Sequence, residues 1–216
     1  MAPRIALLTC LLLLVAAPDA RAQGGRAAPD YARSGWYTGA GFSVGFEAFS
    51  GIKEIEQALG YNVTVGNAFG INARAGYRIL PWLAVEGQFE WLSSFGYTVE
   101  NVLLPGETDP RDVTLQQVED YTLTVNAKAY PLTGRVQPFG LIGLGGMLAK
   151  NTRNPQLISG KKTVDLGGFV ARFGGGVDYY LDESWILTAD ISYLVTTGNV
   201  EDTNRTSLGI GFQYRF

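Results

Sequence analysis

Apolar and polar positions alternate with a period of two through most of the chain beyond Gly35. Successive side chains of a β-strand point to opposite faces, so this alternation predicts strands with one apolar and one polar face. We count eight such segments. In the first, Trp36, Phe42 and Phe46 share the apolar face, whereas Gly39 and Glu47 lie on the opposite one. The predicted fold class is therefore all-β.

The other segments repeat this division into a bulky face and a small or polar face. Their apolar faces lie within residues 69–79, 83–91, 121–129, 169–179, 187–195 and 208–216. The fifth segment, residues 137–150, is ambiguous, because Phe139 and Leu141 would share the inner face with Gly143 and Gly145.

The connections between the segments alternate between short and long. Tight turns are predicted at residues 80–82, 131–134 and 181–183, where Pro, Gly or Asp occurs. Longer polar loops are predicted around residues 50–67, 98–120, 151–164 and 197–205. Short turns at one end and long loops at the other are typical of an up-and-down transmembrane β-barrel.

A water-soluble eight-stranded barrel of the lipocalin kind is the main alternative to a membrane barrel. The two differ in which face is apolar, because a soluble barrel points its bulky residues inward and its charges outward. Here one face holds nearly all the large residues, and the other is rich in Gly, which suits a narrow interior. The pattern therefore favours a barrel with lipid outside.

Aromatic residues give an independent check, because membrane barrels carry two aromatic girdles around an apolar band about 25 Å tall. Phe169 and Tyr179 have the expected separation of about eight to ten residues along one face. The predicted girdle consists of Trp36, Tyr77, Trp91, Tyr179, Trp185 and Tyr193. Because an unpaired strand edge is costly in hydrocarbon, segment eight must pair with segment one. Residues 35–216 are thus predicted to form an eight-stranded antiparallel up-and-down transmembrane β-barrel.

The inner face of this barrel carries charges of both signs. Glu86 and Glu90 lie four residues apart on one strand, about 13 Å, whereas the acid–base pair of a glycosidase needs roughly 5 to 9.5 Å. Arg74 and Arg78 lie inward on the preceding strand. Because buried charges need partners, we predict an interior ion network that plugs the lumen. Its predicted members are Arg74, Arg78, Glu86, Glu90, Lys128, Arg172, Asp178, Asp190 and Arg215.

The N-terminal residues differ from the rest of the chain. A basic start at Arg4, an apolar run over residues 5–17 and the small-residue site Ala20-Arg21-Ala22 predict a cleaved signal peptide over residues 1–22. The run is shorter than the roughly 20 residues of a membrane helix. A lipoprotein site at Cys10 is disfavoured, because Leu8 and Thr9 are not the small residues that precede such a cysteine. Residues 23–34 are small, charged and Pro-containing, which predicts a flexible lead-in.

Composition excludes several kinds of chemistry. Of 17 basic and 20 acidic residues, the predicted signal peptide removes Arg4, Arg21 and Asp19, which leaves 15 and 19 and a net charge of −4. No nucleic-acid partner is therefore expected. The chain has no histidine, and its single cysteine lies in the signal peptide. Without a His base or a Cys nucleophile an enzyme is improbable, and no catalytic residue, cofactor or metal site is expected.

Three stretches resemble the OmpA-like eight-stranded outer-membrane β-barrel domains. They are Gly35-Trp36-Tyr37-Thr38-Gly39-Ala40-Gly41, Val136-Gln137-Pro138-Phe139-Gly140, and the closing strand with Phe212, Tyr214 and Phe216 on one face. The likeness covers residues 35–216, the barrel domain alone, and no peptidoglycan-binding domain is implied. In such families the terminal aromatic residues are the recognition signal for the outer-membrane insertion machinery.

The resemblance implies a location in the cell outer membrane, contact with outer-membrane lipid and lipopolysaccharide, and a monomer. The expected role is non-enzymatic: envelope structure, or surface interaction of the adhesion type through the extracellular loops, with a possible surface ligand on those loops. A small passive pore for ions or small solutes is the alternative, although eight strands leave room for little more than side chains.

Overall fold

The computed structural model describes residues 30–47, 63–102, 109, 111–153, 163–198, 200 and 203–216. The chain divides into two units, Met1–Asp30 and Tyr31–Phe216, and every strand belongs to the second unit. The predicted signal peptide and most of the predicted lead-in lie outside the described residues. No helix in the described part of the chain is long and apolar enough to cross a membrane.

The described residues form nine strands, of which β2 and β3 occupy one position in the barrel. Both pair with β4, and only Gly66 and Asn67 separate them. The strands are β1 Gly35–Glu47, β2 Val63–Val65, β3 Ala68–Leu80, β4 Leu83–Val102, β5 Arg111–Ala129, β6 Val136–Arg153, β7 Thr163–Tyr180, β8 Trp185–Gly198 and β9 Arg205–Arg215.

The sheet is antiparallel throughout and closes on itself. Along it, β4, β3, β1, β9, β8, β7, β6 and β5 follow one another, and β5 pairs back onto β4. The closure between the first and last strands runs from Tyr37 opposite Arg215 to Glu47 opposite Arg205. The predicted eight-stranded antiparallel barrel, with segment eight paired to segment one, is confirmed.

The side chains divide between the two faces as the inverted pattern predicts. Phe169 is 79 % exposed and Leu144 is 72 % exposed on the outer wall, whereas Arg172 on the inner wall is 1 % exposed. The same alternation of exposed and buried residues runs along β3 and β8. A water-soluble barrel with an apolar interior is therefore excluded for these strands.

The structure settles the ambiguous fifth segment. In β6, Phe139 and Leu141 point inward and are buried, whereas Ile142 and Leu144 face outward. The ring of Phe139 fits because Gly176 lies beside it on β7, where a Cβ atom would come within 2.7 Å of the ring edge. Small residues on one wall thus make room for bulky ones on the next.

Adjacent glycines on β6 show how narrow the barrel is. A Cβ atom on inward-facing Gly145 would overlap the carbonyl oxygen of Leu123 on β5, whereas one on outward-facing Gly146 would meet nothing closer than 3.8 Å. The glycines of the inner face therefore allow the strands to curve tightly around the packed side chains.

The strands on the loop side are longer than the sequence predicts. The loop predicted at residues 98–120 is mostly strand, since β4 runs to Val102 and β5 begins at Arg111. Likewise, β6 and β7 extend into the loop predicted at 151–164, and β2 lies inside the one predicted at 50–67. The register between β4 and β5 shifts three times beyond Leu92. Because such bulges interrupt the alternation with a period of two, the sequence pattern does not predict the strand extensions there.

At the turn between β7 and β8, Asp182 caps the chain reversal. Its carboxylate accepts hydrogen bonds from the backbone N–H groups of Ser184 and Trp185, both at 2.7 Å. These two donors hold the pKa of Asp182 below its usual value. Side-chain capping of this kind explains why a short turn forms at the predicted residues 181–183.

Candidate functional site: the barrel interior

The inner face brings together six buried cations and five buried anions of the described residues. All nine residues predicted for the interior ion network are buried there, and Asp120 and Arg205 join them. The excess of cations is one, six minus five. We call these eleven residues the interior network.

On the loop side of the interior, the network forms a chain of alternating charges. Arg74 contacts Asp190 at 3.0 Å, and Asp190 lies 4.0 Å from Arg172. Arg172 contacts Glu90 at 3.0 Å, and Glu90 contacts Arg205 at 3.1 Å. Arg205 ends the chain on Asp120 at 2.6 Å. The chain links strands β3, β4, β5, β7, β8 and β9 across the lumen.

Glu90 is the central anion of this chain. One carboxylate oxygen accepts from Arg205, and the other accepts from Arg172 and from the hydroxyl of Ser207 at 3.1 Å. Arg205 donates further to Thr122 at 2.9 Å, and Arg172 to Ser192 at 3.0 Å. Such shared, charge-assisted hydrogen bonds provide the partners that buried ions require.

Lys128 lies on the turn side of this chain, between two carboxylates and a set of aromatic rings. Its ammonium group is 3.5 Å from Glu86 and 3.5 Å from Asp178. It also lies 3.9 Å from the centre of the Phe139 ring, a cation–π contact. Tyr37 donates to Glu86 at 3.1 Å, and Tyr130 donates to Asp178 at 2.9 Å. The carboxylates are therefore shared between a cation and a phenol.

Nearest the turns, two arginines bind mainly neutral oxygens. Arg78 donates to the side chain of Gln137 at 2.6 Å, to Tyr180 at 3.1 Å and to the backbone carbonyl of Pro81. Arg215 donates to backbone carbonyls, including that of Glu183 at 2.7 Å. Polar side chains and backbone carbonyls thus surround the two arginines at the turn-side end of the lumen.

An apolar layer covers the charges on the side of the long loops. The strands contribute four buried side chains to this layer, those of Met147, Ala149, Val170 and Leu194. Val200, in the connection between β8 and β9, packs against them. Thr203 holds that connection by donating to the carbonyl of Val200 at 2.7 Å. The interior is thus layered, with the interior network between apolar packing above and hydrogen-bonded polar groups below.

Sequence reasoning missed Arg205 and Asp120. Both lie at the ends of predicted loops, because the alternation is weak where β9 begins and where the β4–β5 pairing shifts. Each is a charged residue that continues the inward positions of its strand. Arg205 lies two residues before inward-facing Ser207, and Asp120 lies two residues before inward-facing Thr122. The predicted network also omits three aromatic partners of its ions, Tyr37, Tyr130 and Tyr180, although their side chains point inward and are buried.

The charged groups of the described interior are arranged mainly as ion pairs. Among the described residues, no group of three or more His, Cys, Asp or Glu side chains could hold a metal ion. The carboxylates of Glu86 and Glu90 bind separate cations, Lys128 on one side and Arg172 and Arg205 on the other. The ion pairs around Glu90 link six strands across the lumen.

Comparison with known proteins places this architecture in a family. A family model described as outer membrane protein beta-barrel domain matches residues 7–216. The chain belongs to this family. It is an outer-membrane β-barrel protein, and its strands span the membrane. No curated protein sequence matches the chain significantly.

Two solved outer-membrane barrels share the fold at low sequence identity. Neisserial surface protein A aligns with a TM-score of 0.57 and 16 % identity, over 85 % of this chain and 99 % of that one. The outer membrane protein OprG from Pseudomonas aeruginosa aligns with a TM-score of 0.54 and 20 % identity, over 84 % of this chain and 96 % of that one. At these identities the likeness concerns the fold alone.

The six residues predicted as the aromatic girdle of this outer-membrane barrel all lie on its outer wall. Five are exposed, and Trp91 is partly buried. Trp36 stacks beside Tyr77 near the turns, with ring centres 5.1 Å apart. Trp91 lies near the loops and donates to Glu119 at 2.8 Å, as does Tyr121 at 2.9 Å. The polar groups of Trp91 and Tyr121 thus share one carboxylate on the loop side of the outer wall.

The closing strand of the outer-membrane barrel carries the three aromatic residues predicted as an insertion signal. Phe212, Tyr214 and Phe216 are exposed on the outer wall. The ring of Tyr214 contacts those of Trp185 and Phe216, with centres 5.1 and 5.2 Å apart. The N–H of Phe216 donates to the carbonyl of Trp36 at 3.0 Å, so the terminal residue is fixed to β1.

Proposed function

We propose that this outer-membrane barrel is a sealed, non-enzymatic scaffold that serves envelope structure or surface interaction through its extracellular loops. The observation that carries the proposal is the interior network, in which one chain of ion pairs crosses the lumen with its side chains almost wholly buried. Each charge in this chain lies beside an opposite charge, so the chain presents little unpaired charge to attract ions or polar solutes. The absence of histidine from the sequence supports a non-catalytic role.

Several partners follow from this proposal. The exposed outer wall contacts lipid and lipopolysaccharide, with the six aromatic residues as its girdle. The closing-strand aromatics are the signal read by the outer-membrane insertion machinery, after export with a cleaved signal peptide. The protein works as a monomer, since the eight strand positions of the barrel pair in a closed ring and need no second chain to complete it.

In planar bilayers, the full chain should give no reproducible conductance steps, because the interior network fills the lumen. A general porin in the same bilayers provides the control for sensitivity. Reproducible steps that become larger in Arg74→Ala or Glu86→Ala would contradict the sealed scaffold. They would favour the second candidate, a small passive pore whose width these side chains set.

The β4–β5 hairpin is the best candidate for surface contacts, because its strands continue well beyond Trp91 and Tyr121 on the loop side. Replacing residues 98–115 by a short turn, which joins Tyr97 to Gln116, retains Asp120 and the interior network. We expect autoaggregation and surface adherence of cells that express this variant to fall to the level of cells without the barrel.

Two controls accompany the hairpin variant. Its mobility in a detergent gel should still shift on heating, as that of a folded barrel does. In the chain that keeps the hairpin, an epitope inserted between residues 132 and 133, in a short turn, should stay hidden on intact cells, whereas one between residues 106 and 107 should be accessible. Unchanged adherence of the folded hairpin variant would reject the role of this hairpin.

A further inference from the structure

The segment before β1 reaches into the turn-side mouth of the barrel. The backbone carbonyl of Tyr31 accepts hydrogen bonds from Arg215 at 2.7 Å and from Gln137 at 3.1 Å. Both donors are buried side chains of the inner wall, on β9 and β6. Interior side chains therefore bind the backbone of a segment that is not part of the wall.

Side-chain contacts hold the same segment in place. The ring of Tyr31 lies against that of Tyr180, with centres 5.4 Å apart, and Ala32 is 6 % exposed. The hydroxyl of Ser34 donates to the carbonyl of Ile79 at 3.1 Å, at the end of β3. Residues 31–34 thus touch strands β3, β6, β7 and β9, which lie on different sides of the mouth.

Arg78 links this segment to the buried cluster of Tyr37, Ala84, Tyr130, Phe139 and Leu141, because its guanidinium lies over the Tyr130 ring and donates to Tyr180, the ring partner of Tyr31. Ala84 is fully buried and lies opposite Arg78 on one side and Lys128 on the other. Access to Ala84 from the turn side therefore leads past the segment that binds Arg215 and Gln137.

We propose that residues 31–34 form a plug that closes the turn-side, periplasmic mouth and shields the interior network from solvent. The proposal rests on the proposed sealed interior and names what seals that end. The plug is held by the two hydrogen bonds to the Tyr31 carbonyl, the hydrogen bond from Ser34 to Ile79, the ring contact of Tyr31 and the buried Ala32. A wall strand such as β1, in contrast, is paired along its length on both sides. The plug therefore opens more readily than the barrel unfolds.

Thiol labelling tests the plug, because the chain from residue 23 contains no cysteine. In that chain, folded in detergent, Ala84→Cys should react slowly with a small charged methanethiosulfonate reagent. Adding Tyr31→Gly and Ala32→Gly removes the ring contact and the buried methyl group. We expect labelling to become at least about tenfold faster, since a more populated open state exposes the thiol.

A truncation pair provides a second test. A chain that begins at Tyr31 keeps the plug and should label as slowly as the chain from residue 23, whereas one that begins at Gly35 should label fast. Ala149→Cys, buried at the loop-side end, is the matched reporter and should label at the same rate in all chains. Heat-shifted gel mobility selects the folded protein for each measurement.

The outcomes separate the plug from the proposed function. Equal labelling of Ala84→Cys in the folded chains with and without the plug residues overturns the plug. Faster labelling of Ala84→Cys together with Ala149→Cys also overturns it, because the whole barrel is then loosened. Conductance by the unmodified chain overturns the sealed scaffold instead, whatever the labelling rates are.

Discussion

Replacing Glu90 by glutamine is expected to lower the free energy of unfolding by about 3–5 kcal/mol, the usual cost of removing one partner of a buried ion pair. The loss of stability should be among the largest for a single substitution in the interior network, because Glu90 binds both Arg172 and Arg205. Their remaining partners, Asp190 at 4.0 Å and Asp120 at 2.6 Å, do not replace the lost charge. Glutamine keeps the size of the side chain, so the effect reports on charge rather than on a cavity.

The measurement is reversible unfolding by denaturant in detergent or lipid, followed by tryptophan fluorescence. Glu183→Gln is the matched control, because the side chain of Glu183 is exposed in a turn; it should change stability by less than about 0.5 kcal/mol. Adding Arg172→Met to Glu90→Gln should recover part of the loss, since Arg172 keeps only Asp190 at 4.0 Å, and Asp190 retains Arg74 at 3.0 Å when Arg172 is removed. A loss from Glu90→Gln as small as that of the control would contradict the central place of Glu90 in the interior network.

The alternation of side chains predicted most of the barrel, because burial in a strand is decided locally, residue by residue. The positions of Phe69, Arg74, Phe169 and Phe212 follow from the pattern alone. The pairing of the last strand with the first follows from the cost of an open strand edge in hydrocarbon. Where local geometry departs from an even ladder, the pattern fails. The bulges beyond Leu92 are such a place, and the strand extensions there escaped prediction.

The composition of the interior could be predicted, but its pairing could not. Charge and inward register identify the buried ions, and nine of the eleven members of the interior network follow from them. Which cation binds which anion depends on distances across the lumen. Arg205 and Glu90 are 115 residues apart in the chain, and no sequence spacing relates them. Strand tilt, which brings the two side chains to the same height, appears only in the closed barrel.

The contacts of Tyr31 lay equally beyond sequence reasoning. The composition of residues 23–34 predicts a flexible lead-in, and the part before Asp30 lies outside the described residues. Tyr31 and Ala32 nevertheless make defined contacts, because Arg215 and Gln137 present donors that a passing carbonyl can satisfy. Composition predicts the flexibility of an isolated segment. Whether the segment is ordered in the protein depends also on buried hydrogen-bond donors elsewhere in the chain that need an acceptor.

Replacing Leu144 by arginine should lower the free energy of unfolding in lipid by about 2–4 kcal/mol, the cost of a cation on the lipid face at mid-membrane. Leu144 is 72 % exposed, and its cross-strand neighbours Val125 and Ala171 are apolar. If the outer wall faced water, an arginine at this exposed position would hardly change the free energy of unfolding. The size of the loss therefore reports on what touches the outer wall.

Leu148→Arg is the matched control, on the same strand and the same face, about 13 Å closer to the loops along the strand. It lies opposite Tyr121, whose ring the ammonium group of Lys150 contacts at 4.9 Å. A cation is thus already accepted at that height, and the cost there should fall to about 0–1 kcal/mol. Both variants are unfolded by urea from lipid vesicles and compared with the parent. Equal losses from Leu144→Arg and Leu148→Arg would mean that the polarity around the outer wall does not change with depth. That result would contradict a lipid-facing apolar band between the two aromatic ends.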